Sequence, residues 1–184
     1  MGDRLTERLF LAVALTDDVA HGLAAFLTDE TMRLPGRPTP PDKWHITIRF
    51  LGSTSALQRD RVLEFLDEHL MVEPFTLSFG SLGAFPKPSK ATVLWLGTDR
   101  GTQYLATMGE IAEVAAQAAG FEPEDRPFHP HLTLSRIRPP MNVTDLIERV
   151  PRFPLSLDVD RLTLLRSNLG RGGATYEIVE TIQL

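Results

Sequence analysis

The chain has 184 residues, 42% of them hydrophobic and 23% charged, with no cysteine and a formal net charge of −5. That length fits one domain or two small lobes sharing a core, and the missing cysteine excludes disulfides, thiol nucleophiles and Cys-ligated zinc. The acidic balance argues against extended duplex binding, which is driven by neutralising phosphates, but leaves room for a short RNA end or a nucleotide in a local basic pocket.

The opening "MGDRLTERLF" is charged and lacks the apolar stretch of a signal peptide. No apolar run reaches transmembrane length, so the expectation is a cytoplasmic protein with no membrane partner. "RLFLAVAL" (8–15) reads as a buried strand. Thr16 or Asp17 can cap the helix that follows, to about Thr31. Residues 33–42, "RLPGRPTPPD", form a loop, because four prolines cannot occupy an element interior. "WHITIRFL" (44–51) is a strand, and Ser53 to Ser55 cap a helix through about His69, with Leu57, Val62, Phe65 and Leu66 on its apolar side. "FTLSFGSLGAF" (75–85) is a strand with a bulge at a glycine, "PKPSK" a turn and "ATVLWLG" (91–97) a strand. Residues 101–119 are helical and Gly120 stops them.

A similar outline then returns. "PEDRPFHP" is a second proline-containing loop, "HLTLSRI" a strand, and Asn142 or Thr144 starts a short helix to about Val150. "PLSLDVDRLTLLRS" gives one bent strand or two, "GRGGA" a turn and "TYEIVETIQL" a last strand. The order β-α-loop-β(His-x-Thr)-α-β thus occurs twice. It predicts two similar α+β lobes related by a rough two-fold, with their central strands facing each other across one cleft.

Both copies carry a histidine and, two places on, a threonine: His45 and Thr47, then His131 and Thr133. Side chains alternate along a strand, so His45, Thr47 and Arg49 are predicted to share one face, and His131, Thr133 and Ser135 another. A polar stripe on a central strand is costly unless it lines a solvated cleft or finds partners. Two imidazoles across a cleft suit phosphodiester cleavage, one taking a proton from water and the other protonating the leaving alkoxide. The threonine hydroxyls suit the non-bridging oxygens, and Arg136 or Arg49 could add a charged, forked donor. This chemistry needs no metal and no cofactor. One His-x-Thr alone is more often a structural feature; two copies at matching places reverse that reading. "HPH" at residues 129–131 could chelate a metal, but it supplies only two imidazoles. Trp95 and Phe85 read as core, or as rim aromatics able to stack on a base.

"WHITIRFLG" and "HPHLTLSR", with the framing "RLFLAVAL", "VLWLG" and "YEIVETIQL", resemble the two-histidine phosphoesterase superfamily, in its RNA 2′,3′-cyclic phosphodiesterase or 2′-5′ RNA ligase branch. The resemblance spans nearly the whole chain and implies an α+β fold, residues 1–184 forming a single domain of two pseudo-symmetric lobes, with antiparallel-rich sheets and outer helices around a central groove. It implies hydrolysis of a 2′,3′-cyclic phosphate on RNA or a nucleotide to a 2′-phosphate, with 2′-5′ joining as the reverse reaction. It implies His45 as general acid, His131 as general base, Thr47 and Thr133 as phosphate holders and Arg136 as a helper. Ser135 and Trp44 depart from the family's commoner small and aliphatic residues. Strict alternation puts Arg136 opposite His131, so the helper role requires a bulge near Ser135. Two other readings remain at this point: a nucleotide- or RNA-binding module without turnover, and a phosphodiesterase for another cyclic phosphate or a 2′-5′ oligonucleotide. Nothing in the sequence demands more than a monomer.

Overall fold

The computed structural model describes residues 6–31, 33–170 and 173–184. The turn predicted at "GRGGA" falls partly outside them, at Arg171 and Gly172. In chain order the elements are β1 (Glu7–Ala14), α1 (Asp17–Thr31), β2 (Arg37–Pro38), β3 (His45–Thr54), α2 (Ala56–His69), β4 (Phe75–Phe85), β5 (Ala91–Thr98), α3 (Thr102–Ala118), β6 (His131–Met141), α4 (Thr144–Arg149), β7 (Ser156–Val159), β8 (Arg161–Gly170) and β9 (Gly173–Gln183). Among the described residues no helix is long and apolar enough to cross a membrane.

The helix signals act as their residue types require. Ser55 caps α2 through a capping box, its hydroxyl taking the Gln58 N–H while the Gln58 side chain takes the Ser55 N–H. Gly120, at φ 88°, ends α3 in the left-handed region open to glycine. Val19, Leu23 and Leu27 bury one stripe of α1. On α3 the buried face runs from the large Leu105 and Met108 to the small Gly109, Ala112, Ala115 and Ala116. In α2, Val62 and Leu66 are buried, whereas Leu57 is exposed in its first turn, contrary to its predicted place. The long proline loop is also not wholly irregular. It holds the two-residue strand β2 and a 3₁₀ turn at Pro41–Lys43.

Every pairing between these strands is antiparallel. They form one curled sheet in the order β7-β4-β5-β6-β3-β1-β8-β9, with β2 beside β6. The two His-x-Thr strands, β3 and β6, are neighbours at its centre, joined at Ile46 and Leu132. The halves therefore meet edge to edge in one sheet, where two opposed central strands were predicted, and the groove is the sheet face that carries both histidines. Each half also lends a strand to the other. β4 pairs with β5 of the second half, and β8 of the second half pairs with β1. The main core packs between helices and sheet, centred on Leu11, Leu23, Ile46, Leu66, Leu105, Leu132 and Leu164. A small cluster of Phe10, Ala12 and Leu165 lies apart from it.

Candidate active site

Ile46 and Leu132 are both fully buried and anchor the centre of the sheet. Antiparallel register around that pair sets His45 opposite Thr133 and Thr47 opposite His131, all four on the face away from the main core. The burial of β3 and β6 runs identically over their first seven residues: half-buried His, buried aliphatic, half-buried Thr, two buried residues, one exposed, one buried.

Two consecutive buried residues mark a bulge in each strand. Ala12 stands opposite Thr47 while Leu11 stands opposite Arg49, so Ile48 is the extra residue. Trp95 stands opposite Thr133 while Leu94 stands opposite Ser135, so Leu134 is its counterpart. An extra residue inverts the alternation beyond it. Arg49 and Ser135 thereby turn into the interior, and Phe50 and Arg136 turn to the histidine face. This corrects the strict-alternation reading at both positions. Arg136 is exposed on the His131 side, and its charge is felt at that imidazole. Arg49 is 9% exposed and sits with the carboxylates of Glu113 and Glu124 and the Glu122 carbonyl, away from the groove. It is not a groove residue, contrary to its predicted substrate-binding role.

The two imidazoles are held alike. The His45 Nδ1 lies 2.9 Å from the Lys43 carbonyl, and the His131 Nδ1 lies 2.6 Å from the His129 carbonyl. A carbonyl only accepts, so each Nδ1–H donates. The tautomer is set, and both Nε2 atoms are left for chemistry. Both histidines lie below the ordinary imidazole range. For His45 burial is the main cause, opposed by the Lys43 carbonyl and reinforced by the charge of His131. For His131 burial again leads, opposed by the His129 carbonyl and reinforced by His129 and Arg136.

Each histidine also has an aromatic wall. Phe10 and Tyr176 lie 5.0 and 5.1 Å from His45, Tyr176 edge-on, and Phe50 (57% exposed) packs on Phe10. Phe85 lies edge-on to His131 at 5.0 Å, with Trp95 at 6.0 Å. Trp95 and Phe85 are thus half-buried rim residues. A Cβ at Gly83 would run into the Trp95 ring, so that glycine makes room for the wall. His129 packs edge-on against Trp95 at 4.9 Å, and among the described residues no three His, Asp or Glu side chains are grouped to hold a metal ion. The sequence reading missed Phe10, Phe50 and Tyr176, which come from three strands and share no spacing signal. It also missed the Lys43 and His129 carbonyls, although both stand two residues before a histidine.

Residues 15–171 match the model of the 2′-5′ RNA ligase superfamily. The chain is 30% identical over 173 residues to an RNA 2′,3′-cyclic phosphodiesterase of Aeropyrum pernix, covering 92% of each. It is 29% identical over 174 residues to that of Escherichia coli, again covering 92% of each. Among solved structures, E. coli LigT complexed with 3′-AMP superposes with a TM-score of 0.80 at 27% identity, covering 98% of this chain and 99% of that one. A protein of Thermus thermophilus gives 0.79 at 26% identity, covering 96% and 97%. With its paired His-x-Thr strands at the centre of the sheet, the chain belongs to the 2′-5′ RNA ligase superfamily of two-histidine phosphoesterases.

Proposed function

We propose that the chain hydrolyses 2′,3′-cyclic phosphates on RNA ends or nucleotides, leaving a 2′-phosphate and a free 3′-hydroxyl. One observation carries the reading: two histidines on adjacent strands, each with Nδ1–H tied to the carbonyl two residues earlier, present Nε2 on one face beside two threonines. Relatives named RNA 2′,3′-cyclic phosphodiesterase along most of the chain support it.

His131 acts as general base. Its Nε2 takes a proton from water as the water oxygen bonds to phosphorus. His45 acts as general acid. Its Nε2–H passes to O3′ as the P–O3′ bond breaks. The Thr47 and Thr133 hydroxyls donate to the non-bridging oxygens, where charge gathers in the transition state, and Arg136 adds a cationic donor from the far side of its bulge. The aromatic walls offer stacking faces for the base. With a 5′-hydroxyl in place of water, the same steps join a 2′,3′-cyclic end to it through a 2′-5′ bond: the 5′ oxygen bonds to phosphorus and yields its proton to His131 as P–O3′ breaks and O3′ takes the proton of His45. The chain works in this reading as a single-domain monomer in the cytoplasm, with both lobes contributing to one site.

Incubation with a 2′,3′-cyclic nucleotide in EDTA, followed by phosphorus NMR, tests the proposal. The 2′-phosphate is the expected product. His45→Ala and His131→Ala are each expected to lower kcat by about 10²- to 10⁴-fold. A requirement for added metal, turnover that survives both substitutions, or tight nucleotide binding without product would each overturn it.

A further inference from the structure

We propose that Arg49 is a positioning residue, which sets the orientation of His131 from the opposite half by gripping the loop in front of it. The inference rests on the proposed reaction for its kinetic readout and on geometry for everything else.

The two histidines are each preceded by a loop whose carbonyl holds their Nδ1–H. The loop before His45 is secured on the other half's strand. Pro38 pairs with Ser135 and Arg37 with Arg136, and the Thr39 N–H donates to the Leu134 carbonyl at 2.8 Å. The loop before His131, residues 121–130, contains no strand and has no such ladder. What crosses from β3 to that loop is a guanidinium. Arg49 donates from Nη2 to the Glu122 carbonyl at 2.7 Å and from Nη1 to the Glu124 carboxylate at 3.3 Å.

Arg49 and Ser135 occupy the same place in the two motifs, four residues after the histidine and just past the bulge. Each motif strand thus secures the other histidine's lead-in loop from the same position. Ser135 does so through backbone pairing, Arg49 through its side chain. The grip is reinforced on α3. The Glu113 carboxylate lies 2.5 Å from Arg49 Nε as an ion pair. It also accepts from the Glu124 N–H at 3.1 Å and from Gln117 at 2.8 Å. Burial would raise the Glu113 carboxyl, but these hydrogen bonds and the Arg49 charge hold it below its ordinary value. The groove-side groups that face His131 are His129, Arg136 and, across the strands, His45. None of them belongs to the Arg49 network, so a disturbance of that network reaches His131 through the loop.

The test compares Arg49→Met, Arg49→Lys and Glu124→Ala by imidazole proton NMR titration and by steady-state kinetics on a 2′,3′-cyclic nucleotide. In Arg49→Met, kcat is expected to fall about 10- to 100-fold, the scale of a small misplacement of a reacting group, with KM little changed. The His131 titration should move from its wild-type position as its loop loosens, and the His45 titration should move much less. Arg49→Lys should recover part of both effects. Glu124 is half exposed (47%), so Glu124→Ala keeps the fold and should show the same changes in smaller measure; it carries the test if Arg49→Met does not fold. A folded variant in which His131 titrates as before, or in which both histidines move alike, overturns the assignment. If the wild-type protein turns over no cyclic nucleotide, the proposed reaction falls, and the titration of His131 still judges Arg49.

Discussion

Each histidine ring spends its Nδ1–H on a carbonyl two residues earlier, so neither needs a partner carboxylate to set its tautomer. This matters for pH. Burial is the leading cause that lowers both imidazoles, and the effect of neighbouring positive charge adds to it. The acid limb of a kcat/KM profile is protonation of the base, and the basic limb is loss of the proton from the acid. Both limbs shift to lower pH when both groups are lowered, so a bell with its maximum below about 6.5 is expected. The two limbs belong to the interacting pair. Bound phosphate, being anionic, favours the charged imidazole and moves the kcat profile upward. Parallel kcat/KM and kcat profiles on one cyclic nucleotide check both statements, and a kcat/KM maximum above neutral pH contradicts the first.

At the scale of elements, most boundaries were readable because they rest on local chemistry. Ser55 and Gln58 close α2 through contacts three residues apart, and Gly120 ends α3 through its own backbone freedom. Ser55→Ala is expected to cost about 1 kcal/mol, which for a chain of this size lowers Tm by about 2–4 °C. Since the cap lies outside both motifs and touches neither histidine, turnover should be unchanged; calorimetry and one rate measurement check this. The bulges were only half readable. The two-residue alternation is visible in "HITI" and "HLTL", but one added residue inverts everything after it. In the second motif, Arg136 needed a bulge to reach the groove, and the bulge at Leu134 supplies it. In the first motif, alternation alone puts Arg49 beside His45, whereas the bulge at Ile48 turns it to Glu113, Glu122 and Glu124.

Across the whole molecule, the halves are bound by two devices: the Ile46–Leu132 pairing of β3 with β6, and the exchange of β4 and β8. Both central residues are fully buried. Ile46→Ala and Leu132→Ala are each expected to destabilise by about 2–5 kcal/mol. Because they adjoin, the double variant should lose less than the sum; urea denaturation of the four proteins measures the difference, and full additivity would mean that the pair is not coupled.

The sequence by itself determined the four helices, most of the long strands and the two His-x-Thr motifs, since periodicity, caps and glycine stops act within a few residues. It also carried the family resemblance, through motifs that stay intact as short strings. Only the tertiary structure decided that the two motif strands lie side by side, that Phe10, Phe50 and Tyr176 wall one histidine, and that Arg49 reaches across to Glu113, Glu122 and Glu124. Those relations join residues far apart in the chain, His45 and Tyr176 being 131 positions from each other. They follow from strand register, bulges and packing, which are settled by the whole sheet closing on one core and leave no periodic trace in any local stretch of chain.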